Sequence, residues 1–111
     1  MRHPARVLFL CLERGTMIEI TIRPDHITVS GHARAGPPGE DIVCAAVSAL
    51  TQTLSESLKA LTADSVRTVV DNGYTSIWFR NLSESGKLLV DSFFIGICGI
   101  ADSYPECIKI L

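Results

Sequence analysis

Ser30 to Ser48 reads SGHARAGPPGEDIVCAAVS, which places His32 twelve residues before Cys44 with a glycine- and proline-rich stretch between them. A thiol near its ordinary pKa is only a few per cent thiolate at neutral pH, so a reactive cysteine needs help from its surroundings. The start of a helix contributes about 0.3 to 2 kcal/mol, equivalent to at most about 1.5 pKa units. A neighbouring imidazolium can supply the rest, and it can then act as the base and acid of a thiol-nucleophile cycle. His32 is the candidate partner by position, and the spacing leaves enough chain to bring the two together. The bland alternative is a small buried cysteine in a helix and a histidine that is hydrogen bonded or exposed at a strand end.

Two further residues, Asp41 and Ser48, bear on this pair. Asp41 has two competing roles: as an N-cap its carboxylate accepts from the amide of Val43 or Cys44, and as a third catalytic member it orients His32. If it occupies the Cys44 amide, oxyanion donors must come from the glycine-rich loop. Ser48 stands one helical turn after Cys44 on the same face, where its hydroxyl reaches either the sulfur or the carbonyl of its own helix. Gly31 immediately precedes the histidine.

The elements that must position these residues are legible from periodicity. Ile18, Ile20 and Ile22 alternate with Glu19, Thr21 and Arg23, Pro24 and Asp25 turn the chain, and Ile27, Val29 and Gly31 resume the alternation. Residues 18–31 are therefore expected to form a hairpin that delivers His32 at the end of its second strand. Gly36, Pro37, Pro38 and Gly39 rule out regular structure over 33–40. From the Asp41 cap, Val43, Val47, Leu50, Leu54, Leu58 and Leu61 form the apolar stripe of an amphipathic helix with Cys44 in its first turn.

Residues 66–70 and 75–80 are strand-like on either side of Asp71, Asn72 and Gly73, so a second hairpin is expected. Residues 84–104 predict a second helix, so densely apolar that burial on more than one side is expected, and Pro105 stops it. Cys107 to Leu111 predicts a short last strand. The order is ββαββαβ, an α+β domain whose two helices cover one face of a mostly antiparallel sheet.

Bulk properties exclude several classes. The chain has 111 residues, a formal net charge of -2, and ten lysines and arginines spread thinly, so it carries no basic stripe and nucleic acid is not its expected ligand. The apolar run from Val7 to Leu12 is too short for a signal segment, and no later run reaches the roughly 18 residues that cross a bilayer. Residues 1–16 are read as an extension or an upstream start, with Met17 opening a single domain over 17–111. Four cysteines in a chain that is 47% apolar and carries no signal peptide favour a reduced cytosolic protein. Cys98 falls on an apolar helical face, Cys11 in the extension and Cys107 beside the last strand. Neither a CxxC nor an HxxxH pair occurs, so a zinc site is not supported.

The segment GHA, followed after a loop by G-x-D-I-V-C-A-A-V-S, resembles the ribosomal-processing cysteine protease family, called Prp, and the resemblance runs from Met17 to Leu111. It implies a small α+β homodimer in the cytoplasm that removes an N-terminal extension from the precursor of large-subunit ribosomal protein L twenty-seven. It also implies Cys44 as nucleophile, His32 as base, and Gly31, Asp41 and Ser48 as the residues around them, with neither metal nor cofactor required. The loop departs from the family pattern: Ala35, Gly36, Pro37 and Pro38 stand where an aromatic or acidic residue is usual. Its glycines suggest that it closes over a bound peptide. The second helix is the expected dimer surface, although deep burial within one subunit would explain the same apolar density. Two other functions fit the residues: a non-catalytic ribosome-associated peptide-binding module, and a thiol hydrolase or redox protein with another substrate.

Overall fold

The computed structural model describes residues 17–31, 42–71 and 73–111. Strands β1 (Ile18–Arg23) and β2 (His26–Ser30) form the expected hairpin, followed by helix α1 (Ile42–Leu61), strands β3 (Val66–Asp71) and β4 (Tyr74–Phe79), helix α2 (Glu84–Ser103) and strand β5 (Ile108–Ile110). This is the ββαββαβ order of an α+β domain. The five strands lie in the order β3-β4-β2-β1-β5. Three pairings are antiparallel and only β1 with β5 is parallel.

The period-two alternation decides which face is buried. Ile20 pairs with Val29 and Ile22 with Ile27 across the first hairpin, and Ile27 continues to Ile77 of β4. Ile20, Ile27 and Ile77 are fully buried, and they meet Val43, Val47, Leu54 and Leu58 of α1 and Phe93 and Ile97 of α2 in one core. On the opposite face, the His26 ring stacks on Trp78 with centroids 4.3 Å apart and its Nδ1 donates to Asp25 Oδ1 over 2.7 Å. Helix α2 begins at an N-cap, Ser83, whose hydroxyl accepts from the Gly86 amide at 3.1 Å.

Five details differ from the sequence expectation. The second hairpin is tighter: Asp71 and Tyr74 already pair, and Gly73 just before Tyr74 has a φ of 76° that favours glycine. Leu61 is 70% exposed, because the helix ends there beyond the edge of the core it packs on. Helix α2 ends at Ser103, one residue earlier than its pattern suggests. It is also not buried on more than one side: Leu88 is 70% and Ile95 72% exposed, with Phe94 exposed beside them. Its inner stripe, Phe93 and Ile97 with half-buried Leu89, Val90, Ile100 and Ala101, suffices for this core. Finally, Cys107 is held in a disulfide, in contrast to the expectation of a fully reduced chain.

Candidate functional site

Cys44 lies in the first turn of α1, as its spacing from the Asp41 cap predicted, and its side chain is buried against the core. It carries no disulfide. Helical geometry turns about 100° per residue, so Ser48, Thr51 and Ser55 stand within about 40° of Cys44 around the axis. These four residues form a continuous stripe of small side chains along α1, with Thr51 and Ser55 buried and Ser48 exposed. Thr51 Oγ1 donates to the Val47 carbonyl oxygen at 2.7 Å, and Ser55 Oγ shares a 2.7 Å hydrogen bond with Thr68 Oγ1 of β3.

Gly31 closes β2 from the other side. Its φ is 79°, and a Cβ built on it would lie 2.5 Å from the Met17 carbonyl oxygen, so both conformation and space require glycine. Its amide donates to the Gly73 carbonyl oxygen at 3.1 Å, which fastens the end of β2 to the β3–β4 turn. The chain therefore leaves the sheet toward His32 from an anchored point. His32, Asp41 and the expected closing loop over 33–40 lie outside the described residues.

Between these two features runs a groove of about 220 Å³. Ser48, Thr51, Gln52, Ser55 and Glu56 of α1 form one wall. Val29, Thr75 and Val70, which share one register row of the inner sheet face, form the other together with Thr68, and Gly73 and Tyr74 close its end. Of the residues expected at the site, Ser48 lines the groove and shares the α1 stripe with Cys44, which is not among the lining residues, and Gly31 is tied to the lining residue Gly73. The groove-lining residues that the sequence reading did not single out include Thr51, Ser55, Thr68, Val70 and Tyr74. The helical half was legible as positions i, i+7 and i+11 from Cys44; the strand half depended on how far α1 reaches across the sheet. Among the described residues, no group of three or more His, Cys, Asp or Glu side chains is placed to hold a metal. No helix among them is long and apolar enough to cross a membrane.

A cysteine in the first turn of a helix is a position at which a thiol can serve as a nucleophile. Residues 17–109 match the family described as cysteine protease Prp. The ribosomal processing cysteine protease Prp of Mycoplasma pneumoniae is 30% identical over 95 residues, covering 84% of this chain and 92% of that protein. A crystal structure from Streptococcus mutans is 33% identical, with a TM-score of 0.75 over 87% of this chain and 94% of that one. The fold is also that of an essential ribosomal processing protease Prp from S. aureus, solved in complex with a substrate peptide. That likeness has a TM-score of 0.73 at 22% identity and covers 86% of this chain and 96% of the other. The chain belongs to the Prp family of cysteine proteases and is a hydrolase.

Proposed function

We propose that residues 17–111 form a cysteine endopeptidase domain that removes the N-terminal extension of the precursor of large-subunit ribosomal protein L twenty-seven. The observation that carries this reading is the position of Cys44, in the first turn of α1 and at the head of the small-residue stripe that lines the groove. In this reading His32 takes the thiol proton, Cys44 attacks the scissile carbonyl, and His32 returns a proton to the leaving amine. Water then hydrolyses the acyl-enzyme and restores the thiol. Gly31 positions the strand end before His32, Asp41 caps α1 or orients His32, and Ser48 lies beside the substrate path.

The protein acts as a homodimer in the cytoplasm, where the ribosomal precursor is made. The exposed apolar side chains Leu88, Phe94 and Ile95 on the outer face of α2 support the dimer. The deciding experiment is cleavage of the organism's own precursor by wild type, Cys44→Ala and His32→Ala, with product masses read directly. Cutting by wild type alone is expected. Cutting by the Cys44→Ala protein overturns the mechanism. An uncut precursor with folded wild-type protein turns the reading to a peptide-binding module or another substrate.

A further inference from the structure

The sheet face that the helices leave bare carries an aromatic and basic row. Register places Arg23, His26, Trp78 and Arg67 side by side across β1, β2, β4 and β3, a span of about 14 Å at the usual strand spacing. Trp78 is 42% exposed and is held in place twice: its ring stacks on His26, and its Nε1 donates to Ser76 Oγ at 3.1 Å. The strands thus fix a flat π-surface at the protein's exterior. Beside it lies a hollow of about 690 Å³, lined by Trp78, Arg67, Arg80, Asp25, Ser65 and Phe79. Arg67 and Arg80 are both exposed, and neither forms an ion pair among the described residues. Asp25, the acidic group of the lining, accepts from His26 Nδ1. Arg23, at the far end of the row, donates to the carbonyl oxygens of Ile22 and Leu111.

Two guanidinium groups without acidic partners, next to an indole held in one orientation, match a ligand that is planar and anionic at once. An acidic peptide would use the arginines and leave the ring without a partner, whereas each nucleotide of a single strand offers a base to stack and a phosphate to pair. The exposure of all three side chains favours a strand over a free nucleotide: a mononucleotide laid there keeps much of its surface in water, while a strand adds contacts along the row. The neighbouring pair on the same face, Thr21 and Thr28, lies two residues along each strand, about 7 Å away, and supplies hydroxyl groups for a ribose 2′-hydroxyl, which points to RNA rather than DNA. Counted along the chain, the basic residues are spread thinly; strand pairing gathers Arg67 and Arg80 around Trp78, so the composition alone pointed away from nucleic acid.

We propose that this outer sheet face binds single-stranded RNA, with Trp78 stacking a base and Arg67 and Arg80 pairing with the adjoining phosphates. The inference is independent of the cysteine endopeptidase reading, because the face lies across the sheet from α1 and binding is read without cleavage. Trp78 is the chain's one tryptophan, so its fluorescence reports the contact directly. The test titrates the full chain against a labelled single-stranded RNA of about ten nucleotides, following tryptophan quenching and RNA anisotropy. Saturable binding that quenches Trp78 is expected. Arg67→Glu is expected to weaken it at least about tenfold and Trp78→Leu at least about fivefold, with the folding of each checked by circular dichroism. Lys59→Glu on α1 makes an equal change of charge and should stay within about twofold of wild type. The proposal is overturned by an unquenched Trp78, by Arg67→Glu and Lys59→Glu weakening binding alike, or by uridine monophosphate or a polyglutamate peptide binding as tightly as the RNA. DNA of the same sequence binding within about twofold of the RNA overturns the assignment to RNA.

Discussion

The amide of Gly31 donates to the carbonyl oxygen of Gly73 at 3.1 Å, joining the end of β2 to the β3–β4 turn at two residues that both have positive φ. Neither glycine is needed for strand pairing elsewhere in the sheet. Together they fix the point from which the chain departs toward His32, and the same turn closes the end of the groove beside α1.

The cost of disturbing this link is unequal at its two ends. Gly31→Ala meets both a left-handed φ and the Met17 carbonyl, so it is expected to destabilise the fold by about 1 to 3 kcal/mol. Gly73→Asn, which tolerates the left-handed region, is expected to cost less than about 1 kcal/mol. Urea unfolding of both variants, with peptide cleavage measured under conditions where each is folded, checks the pair. Cleavage should fall much further for the Gly31 variant than its folded fraction explains.

Thiol labelling separates a reactive Cys44 from an ordinary one. Cys44 is buried and Cys98 of α2 is only half-buried, so access alone predicts that Cys98 alkylates first. A nucleophile activated by the helix start and His32 reverses that order at neutral pH. Timed reaction with iodoacetamide, followed by peptide mass mapping, is expected to show Cys44 modified first in wild type and last in His32→Ala.

Helix α2 shows how much a hydrophobic pattern alone conveys. Its dense run of Leu88, Leu89, Val90, Phe93, Phe94, Ile97 and Ile100 correctly marked a helix, yet it suggested burial all round. Periodicity identifies the inner stripe through Phe93 and Ile97, but whether an outer stripe meets a second surface depends on packing against other elements. The two hairpins and α1 were legible because each alternation or stripe had one polar side and a turn or cap at its end. The places of Cys44 in the first turn of α1 and of Ser48 one turn later were legible for the same reason. The groove lining at Val70 and Tyr74 was not legible, since it comes from how α1 packs across β3 and β4, a tertiary fact with no local signal.

The two faces of α2 should therefore respond oppositely to substitution. Ile97 is fully buried, and Ile97→Ala is expected to cost about 2 to 5 kcal/mol of folding stability. Ile95→Lys, at a position 72% exposed, is expected to change the stability of the single subunit by no more than about 0.5 kcal/mol while dissociating the proposed homodimer. Sedimentation velocity beside thermal unfolding at low protein concentration reads both effects. A dimer that persists in Ile95→Lys and in Leu88→Glu would move the subunit interface away from this helix.

The start of α2 depends on a residue outside it. Asp64 accepts from the Ser83 amide at 3.1 Å and from the Ser83 hydroxyl at 2.8 Å, and that hydroxyl accepts in turn from the Gly86 amide. The carboxylate thus holds the cap in the orientation that satisfies the first turn, and it ties the α1–β3 connection to the β4–α2 connection. Asp64→Ala removes both acceptors and is expected to cost about 1 to 2 kcal/mol, whereas Asp64→Asn keeps an acceptor oxygen and should cost less. Ser83→Ala loses the cap itself, so it should cost a similar amount. In the double variant Asp64→Ala/Ser83→Ala the loss should fall well short of the two single losses added, because each single change already breaks the shared contact. Additive losses in chemical denaturation would mean that Asp64 acts independently of the cap.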